Sequence, residues 1–456
     1  MPTSWRRAPN AERRLAETAL VFGMGVSGEA VARHLRDRGA RVIAADDRPS
    51  PKAAERAAAA GAPLVAAPGE AELRRLIAAA DVVVPTPAVP ETHRLFALAA
   101  ELGKPVRSEV ELAGRWARRP IVAITGTNGK TTVTELVAAM LAASGRRSVA
   151  AGNIGLPLAD GVRRDVDVIV AEVSSFQLHS TDSFHPGVAV WLNFAPDHLD
   201  WHADLESYAR AKARVWAHQE GSDVAVVNAD DPVVTRWAAG APARVVTFGV
   251  AAADADYHVA DGELRGPDGF ALPLSAMHRT LPHDVANALA ASAAARAAGA
   301  TGDGVATALA DRRDDGAHRV ALVGEHAGVR WYDDSKATNP HATAAALRGF
   351  DSVVLIAGGR NKGLDLAALA PDAAGRVRAV VGVGEAGPEV AEALRSVSYV
   401  HITNTMQEAV AAAAELAQPG DAVLLSPACA SFDQYRNYAE RGDDFARLAR
   451  ALMEGR

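Results

Sequence analysis

The stretch IVAITGTNGKTT, residues Ile121–Thr132, decides how the surrounding chain folds. Its first four residues are apolar or small, as in a buried strand, and the rest form a Thr/Gly-rich loop that contains Lys130. A loop of this kind between a strand and a helix binds phosphate through backbone N–H groups and the helix N-terminus. The common phosphate-binding pattern GxxxxGK[ST] requires a glycine where this chain has Ile124, so that pattern is incomplete here.

The loop keeps its phosphate chemistry without that glycine. Lys130 can neutralise the outer oxygens of a nucleoside triphosphate, and the Thr131 hydroxyl lies where Mg²⁺ would bind. The simpler alternative is a glycine-rich turn with a solvated lysine. We expect the following residues to contact the phosphates of a bound nucleotide, which the family resemblance given below implies to be ATP: Gly126, Thr127, Asn128, Gly129, Lys130, Thr131 and Thr132.

Short apolar strands alternate with Ala-rich helices along the chain, which is typical of α/β folds with parallel sheets. Three such blocks predict three domains, over residues 1–113, 114–316 and 317–456. A strand-and-turn insertion is expected at Asp254–Leu274, and the charged segment Asp311–His318 is a predicted hinge. The predicted strands include ADVVVPTPAV and PVRSEVEL in the first block, VDVIVAEVSS in the second and DAVLLSPA in the third.

Composition excludes several classes of protein. The 456 residues carry a net charge of −7, which disfavours nucleic acid and membrane surfaces as partners because both attract basic patches. The single cysteine, Cys429, permits no internal disulfide, and its small apolar neighbours indicate packing. The first 17 residues lack the apolar core of a signal peptide, and no apolar run is long enough to span a membrane. We therefore expect a cytoplasmic protein.

A second glycine pattern lies in the first block. The segment Gly23–Gly28 reads GMGVSG between a strand and a helix, and Asp46 and Asp47 end the next strand. Glycines there allow a phosphate to approach the helix N-terminus, and the acids can accept hydrogen bonds from a ribose or a base. The pattern is compatible with NAD, with another nucleotide, or with a glycine-packed turn alone.

Three further residues of the second block are candidates for metal chemistry. Glu172 ends an apolar strand, at the edge of a parallel sheet where substrates and metals collect. His198 follows another strand; a lone histidine is more often structural, but Lys130 and Glu172 at neighbouring strand ends favour a role at Mg²⁺. Lys212 lies on a predicted helix, where the residue pattern by itself favours a surface position.

Taken together, these motifs resemble the Mur ligase family of ATP-dependent amide ligases, which build the peptidoglycan stem peptide. The resemblance extends over all three blocks, from about Leu20 to Arg450. Within the family, SKATNP and SPACASFDQ are typical of the members that add D-glutamate to UDP-N-acetylmuramoyl-L-alanine. The motifs are TGTNGKTT (Thr125–Thr132), GNIG (Gly152–Gly155), EVSSFQL (Glu172–Leu178), NFAPDHLDWH (Asn193–His202), YARAK (Tyr208–Lys212), DDSKATNP (Asp333–Pro340) and LLSPACASFDQYRNYAERG (Leu424–Gly442).

The resemblance implies the architecture and the binding residues. It implies a Rossmann-like N-terminal domain that binds the UDP part of the substrate, a central P-loop ATPase-type domain with a parallel sheet, and a Rossmann-like C-terminal domain that binds glutamate. Residues near the UDP-sugar would be Ser27, Asp46, Asp47, Arg48, Asn153 and His198. Residues that hold glutamate would be Lys336, Thr338, Lys362, Ser431 and Tyr438. Asn287 and Arg319 would join the ATP site.

The resemblance also implies the chemistry. A substrate carboxylate would attack ATP to give an acyl phosphate, which the amine of glutamate would then convert to an amide. Lys130, Glu172, His198 and Lys212 would be catalytic. Lys212 would carry a carbamate derived from CO₂, and two Mg²⁺ ions would be held by Thr131, Glu172, His198 and carbamylated Lys212. The substrates would be UDP-N-acetylmuramoyl-L-alanine and glutamate, and the chain would act as a monomer.

Three positions depart from the pattern of the family. Asp284 replaces an asparagine, Ala321 replaces a glutamate, and Asn361 lies where an aspartate is common. They leave open a paralogue that uses L-glutamate or another acidic amino acid. Further alternatives are a folylpolyglutamate synthase-like ligase, a catalytically inactive UDP-sugar sensor and an NAD oxidoreductase.

Overall fold

The computed structural model describes residues 17–311 and 316–455. Two predictions fall on residues outside these ranges. They are the absence of a signal peptide and the central part of the hinge predicted at Asp311–His318. Contacts divide the chain into two compact units. The first comprises residues 17–194, 200–276 and 286–311, and the second comprises 195–199, 277–285 and 316–455. The predicted three-domain boundaries stay a prediction.

The first sheet has four parallel strands in the order β3-β2-β1-β4. Its strands alternate with helices because each parallel neighbour requires a crossover connection. The strands are β1 (Thr18–Phe22), β2 (Arg41–Asp46), β3 (Leu64–Ala66) and β4 (Val82–Pro85). The helices are α1 (Val26–Asp37), α2 (Pro51–Ala59), α3 (Glu70–Ala79), α4 (Arg94–Glu101) and α5 (Glu109–Trp116).

One strand prediction in this block is wrong. The segment PVRSEVEL contributes only a single bridge, between Val83 and Val106, before the chain turns into helix α5. The Ser108 side chain accepts a hydrogen bond from the Glu111 backbone N–H and so caps the helix. A serine followed three residues later by glutamate is a helix-start signal, and it outweighs the two valines of the segment.

The second sheet is also parallel, with the order β10-β9-β8-β5-β7-β6. Its central strand β5 leads into the glycine-rich loop. The strands are β5 (Ile121–Thr125), β6 (Ser148–Gly152), β7 (Val168–Glu172), β8 (Val188–Trp191), β9 (Val224–Asn228) and β10 (Arg244–Phe248). The helices are α6 (Lys130–Ala143), α7 (Leu158–Gly161), α8 (Ser175–His179), α9 (Leu205–Ala213) and α10 (Pro232–Ala238).

A small antiparallel sheet follows, as the strand-and-turn pattern predicts. It contains β11 (His258–Ala260), β12 (Glu263–Arg265) and β13 (Ala271–Pro273). A short 3₁₀ turn at 274–276 precedes the two Ala-rich helices α11 (Pro282–Ala297) and α12 (Gly302–Asp311).

The last sheet has the order β14-β15-β19-β16-β17-β18 and is parallel except for its edge strand β14. The sequence pattern did not predict that antiparallel strand. The strands are β14 (Ala321–His326), β15 (Val329–Asp333), β16 (Val353–Gly358), β17 (Val377–Val383), β18 (Tyr399–Thr403) and β19 (Ala422–Ala428). The helices are α13 (Pro340–Leu347), α14 (Ala370–Ala373), α15 (Gly387–Leu394), α16 (Met406–Leu416) and α17 (Tyr438–Met453).

The cores lie between the sheets and their helices. Strands β5, β7, β16 and β19 are buried along their whole length, as their continuous apolar runs require in a sheet covered on both faces. Cys429 is buried, and burial raises the pKa of its thiol to about 12, in agreement with the packing role predicted for it. No helix in the described part of the chain combines the length and apolar character needed to cross a membrane.

Candidate functional site

The glycine-rich loop connects β5 to α6 at the centre of the second sheet. Gly129 precedes the helix with φ of +83°, a conformation that side chains rarely adopt. A Cβ at that position would lie 2.6 Å from Oδ1 of Asn287 on α11, so the loop and α11 are in close contact. Helix α6 therefore begins without a capping side chain, and its first N–H groups are oriented as in an anion site.

Two lysines converge on one carbonyl of this loop. The Lys130 Nζ donates to the Gly126 and Thr127 carbonyls at 2.8 and 2.9 Å, and the Lys212 Nζ donates to Gly126 at 2.8 Å. The loop is further held by Asn193, whose Oδ1 accepts from the Asn128 N–H at 2.9 Å. The phosphate-binding residues predicted from sequence thus share one ordered loop.

Glu172 ends β7 next to the strand that leads into the loop, and its register partner is Ile124. Its Oε1 accepts a hydrogen bond from Asn153 Nδ2 at 2.8 Å. Its Oε2 is buried and has no hydrogen-bond partner among the residues that the structure describes. A carboxyl oxygen buried in this way suits a metal ligand, because burying a polar atom without a partner costs free energy.

The turn after Glu172 is fixed by the sequence motif itself. Ser174 accepts from the Gln177 N–H, and the Gln177 side chain accepts from the Ser174 N–H. This capping box starts helix α8 immediately after the strand, so Glu172 is held at the sheet edge.

Lys212 is buried, with 1% exposure, and the surface position favoured by the residue pattern alone is wrong. Its helix α9 places the ammonium 4.5 Å from the centre of the Tyr208 ring. The Tyr208 hydroxyl is 3.1 Å from Thr127 Oγ1, so the helix and the loop share a hydrogen bond. Glu172, Lys130 and Lys212 all lie in the first compact unit.

His198 belongs to the second compact unit, through the short segment 195–199. It has φ of +58°, and its backbone N–H donates to Asp197. Asp197 accepts from Lys362 Nζ at 3.0 Å and from Asn339 Nδ2 at 2.9 Å. Burial works to raise the pKa of Asp197, but the charges of His198 and Lys362 and the two hydrogen bonds hold it below its ordinary value.

Other residues predicted to bind glutamate also lie in the second unit. Lys336 Nζ lies 5.5 Å from the centre of the Tyr438 ring. The buried Arg441 donates to the Ser335 carbonyl and to the Cys429 carbonyl, so it joins the Lys336 segment to the one that contains Ser431. Ser431 is 2% exposed, and Thr338 lies between Lys336 and the N-cap of α13.

Four of the predicted UDP-binding residues, Ser27, Asp46, Asp47 and Arg48, lie around the first glycine loop. Asn153 instead follows β6 and contacts Glu172, and His198 lies in the second compact unit. Asp46 accepts from the N–H groups of Met24 and Arg48, at 3.1 and 2.9 Å. Asp47 is paired with His93 at 2.8 Å, and Ser27 lies in the first turn of α1. Asp46 therefore links the loop to the end of β2.

Two of the three residues that depart from the family pattern, Asp284 and Asn361, have a nearby side chain of complementary polarity. Asp284 forms a two-point ion pair with Arg279, whose guanidinium also donates to the Arg319 carbonyl at 2.9 Å. Asn361 donates to Glu389 Oε2 at 2.7 Å, a position where aspartate would repel that carboxylate. Ala321 begins β14 opposite Asp333, and nothing in the structure explains its substitution.

Sequence reasoning missed four residues that organise these contacts. Asn193, Asp197, Arg279 and Asn339 were not predicted as site residues, although three of them lie inside the motifs quoted above. Their polar side chains next to strand ends or a helix start were the available signal.

Three models of protein families match the chain. The Mur ligase MurD-like N-terminal domain matches residues 17–108, the Mur ligase middle domain matches 124–295, and the Mur ligase glutamate ligase domain matches 318–429. The loop 125–132, Glu172 and Lys212 fall within the middle match.

Curated relatives cover nearly the whole chain. A UDP-N-acetylmuramoylalanine–D-glutamate ligase of Frankia casuarinae is 46% identical, over 95% of this chain and 93% of its own. A protein of the same name from Desulfosudis oleivorans is 42% identical, over 96% of both chains.

Solved structures share the fold at low identity. MurF from Acinetobacter baumannii superposes with a TM-score of 0.60 at 20% identity, over 97% of this chain and 92% of that one. UDP-N-acetylmuramate-alanine ligase from Thermotoga maritima gives 0.57 at 19% identity, over 96% and 100%. At these identities the likeness concerns the fold alone.

Proposed function

The chain belongs to the Mur ligase family of ATP-dependent ligases, and we propose that it joins D-glutamate to UDP-N-acetylmuramoyl-L-alanine in peptidoglycan precursor synthesis. The observation that carries the proposal is the convergence of the loop 125–132, Glu172 and Lys212 in one compact unit. Curated relatives that bear the name of this activity, at 40–46% identity, support the choice of substrate.

The first chemical step forms an acyl phosphate. A carboxylate oxygen of the alanyl substrate attacks the γ-phosphorus of ATP, and the bond to the ADP oxygen breaks. Lys130 leaves the Gly126 and Thr127 carbonyls, which it contacts at 2.8 and 2.9 Å, and binds the phosphate oxygens instead. The N–H groups at the start of α6 bind the same anion, so charge on the transferred group is met by fixed donors.

The second step forms the amide. The neutral amine of glutamate attacks the acyl carbon, inorganic phosphate leaves with the bonding electrons, and the amine loses a proton. Lys336 and Lys362 supply positive charge for the two carboxylates of glutamate. Thr338, Ser431 and Tyr438 complete the glutamate site in this proposal.

The site fits Mg²⁺, because the buried Glu172 Oε2 and the Thr131 hydroxyl are hard oxygen ligands at the ATP loop. When bound, Mg²⁺ lowers the negative charge on the phosphates that meet the attacking carboxylate. We assign His198 and a carbamate on Lys212 to the same metal chemistry, with two ions in total. A carbamate would form when the Lys212 amine adds CO₂ and loses a proton, and it would replace a buried cation by an anion that can bind a metal.

In this proposal, separate sets of residues bind ATP and the UDP part of the sugar substrate. Asn287, which contacts Gly129, and Arg319 bind ATP. UDP is bound by the first glycine loop, through Ser27, Asp46, Asp47 and Arg48, while Asn153 and His198 face the sugar. We further propose three domains over 1–113, 114–316 and 317–456, a monomer, and a cytoplasmic location.

Phosphate release tests the proposal directly. The chain is supplied with ATP, Mg²⁺ and UDP-N-acetylmuramoyl-L-alanine, and D-glutamate is compared with L-glutamate. We expect release with D-glutamate only. Release with L-glutamate alone would establish the paralogue instead, and the absence of release with either amino acid would exclude the ligase.

A further inference from the structure

Glu91, His179 and His202 converge at a point that the ligase chemistry does not use. Glu91 lies in the loop after β4, His179 ends α8, and His202 lies just before α9. Within residues 17–311 and 316–455, they are the one group of three His, Cys, Asp or Glu residues whose ligand atoms lie within 4.8 Å of one another. All three belong to the first compact unit.

The distances match those of a coordination site. Glu91 Oε2 lies 3.2 Å from His202 Nδ1 and 3.5 Å from His179 Nδ1. Two ligands of a tetrahedral zinc ion, each about 2.1 Å from the metal, lie about 3.4 Å apart. Two edges of the ligand triangle therefore already have the required length, and the ligand atoms of the two histidines lie within 4.8 Å of each other.

Further hydrogen bonds orient two of the three ligands, Glu91 and His202. The other oxygen of Glu91 accepts from the Ala203 N–H and from the Ser207 hydroxyl, which leaves Oε2 directed at the histidines. His202 Nε2 lies 2.9 Å from Ser175 Oγ. When that nitrogen donates its proton to the serine, the lone pair of Nδ1 is available to a metal, as in most protein histidine ligands.

Burial favours the protonation state that a metal needs. His202 is 2% exposed, and desolvation lowers its pKa to about 4, so the imidazole is neutral at neutral pH. The side chain of His179 is 33% exposed, which gives an ion a path from solvent. Rings of Phe176, Trp201 and Tyr208 lie 5.6, 4.5 and 5.1 Å from the His202 ring and form an apolar wall.

We propose that Glu91, His179 and His202 bind one Zn²⁺ ion. Two imidazoles and one carboxylate select zinc over Mg²⁺, because Mg²⁺ prefers oxygen ligands alone. Bound zinc would tie the loop after β4 to α8 and to the segment before α9. It would also fix the His202 ring against Tyr208, whose hydroxyl is 3.1 Å from Thr127 in the ATP loop.

Zinc titration of the full chain tests this site without any substrate. The protein is stripped of metal with a chelator and desalted into buffer with excess Mg²⁺, so that the proposed Mg²⁺ site at Thr131 and Glu172 is occupied. It is then titrated with ZnCl₂ in a calorimeter. We expect one tight site in the wild type and at least a ~100-fold weaker site in His179→Ala and Glu91→Gln. His185→Ala is the matched control, because His185 is paired with Asp223 at 2.6 Å and should leave the affinity unchanged.

Cobalt provides a second measurement that does not depend on how the variants fold. Co²⁺ added to the stripped wild type should give the visible absorption of a four-coordinate site, and one equivalent of Zn²⁺ should remove it. A wild type that binds neither ion, or His179→Ala and Glu91→Gln variants that bind zinc as tightly as wild type, would show a metal-free hydrogen-bond network and overturn the proposal. Because ATP, UDP-sugar and glutamate are absent, this result is independent of the ligase assay.

Discussion

At the scale of single residues, contacts within the protein fix the orientation of the Glu172 side chain. Asn153 binds one carboxylate oxygen at 2.8 Å, and the other oxygen is buried without a hydrogen-bond partner among the described residues. Lys212 is held as firmly, between the Gly126 carbonyl and the Tyr208 ring. Contacts within the protein thus orient both side chains, which lowers the entropic cost of forming the reactive complex.

Asn153→Ala tests whether this orientation matters to the metal. Loss of a side chain that orients a ligand typically weakens metal affinity about 10–100-fold. We expect the Mg²⁺ concentration for half-maximal phosphate release, at saturating UDP-sugar, to rise by that factor. Asn404→Ala removes an exposed asparagine and serves as the control. An unchanged Mg²⁺ dependence would show that Asn153 does not position Glu172.

Lys212→Ala tests the proposed carbamate. We expect a loss of kcat on the order of 100-fold, as when one charge-stabilising group is removed from an active site. Added formate or acetate should restore part of the rate, because a small carboxylate can replace the carbamate in the space that the side chain leaves. Lys212→Arg retains the positive charge but cannot be carbamylated, and it should be inactive without rescue. Full activity of Lys212→Ala would exclude this role.

At the scale of elements, the glycine-rich loop 125–132 contacts α11 at the start of α6. Asn287 on α11 lies where a side chain at Gly129 would extend. Two residues that depart from the family pattern also contact a neighbouring segment. Asp284 accepts a hydrogen bond from Arg279, and Asn361 donates one to Glu389. Local pairs of this kind are consistent with an unchanged amino-acid substrate.

Gly129→Ala tests the contact between the loop and α11. Alanine there must adopt a positive φ, at a cost of about 1–2 kcal/mol, and must also displace Asn287. We expect the KM for ATP to rise at least about tenfold, which corresponds to roughly 1.4 kcal/mol of binding free energy. Gly145→Ala, after the other end of α6, has φ of +74° with nothing within 4 Å. The Gly145→Ala variant should therefore be destabilised about as much as Gly129→Ala but keep the wild-type KM for ATP. Equal KM values for ATP in the two variants would contradict the prediction.

At the scale of the whole molecule, each compact unit buries a carboxyl group that resists ionisation. Burial raises the pKa of Glu109 in the first unit and of Asp334 in the second to about 7. The folded state then binds more protons than the unfolded chain between about pH 4 and 7, so stability falls as pH rises through that window. Both groups thus make the protein less stable in neutral than in mildly acidic solution.

Asp334→Asn isolates the contribution of the second unit. Asparagine can accept from the Val320 N–H and donate to Ser426, both of which are hydrogen-bond partners of the Asp334 side chain. We expect the free energy of unfolding of the variant, relative to wild type, to increase by at least about 1 kcal/mol from pH 5 to pH 8. Urea unfolding at the two pH values measures it, and parallel pH profiles would show that Asp334 ionises normally.

Much of this protein was determined by its sequence alone. Apolar strands, glycine turns and helix starts are local patterns, so the α/β fold, the phosphate loop and the family could be predicted from neighbouring residues. The family pattern also predicts that Glu172 and Lys212 are catalytic. Local patterns failed where signals competed, as in PVRSEVEL, where the Ser108 cap made a helix out of a predicted strand.

Only the tertiary structure decided which distant residues meet. It buried Lys212 against a carbonyl 86 positions away, and it paired Asp197 with Lys362 across 165 positions. It also brought Glu91 to His202 across 111 positions, although neither residue belongs to a recognisable metal motif. The physical reason is that such contacts depend on how strands and helices pack in three dimensions, and the spacing of residues along the chain does not encode that arrangement locally.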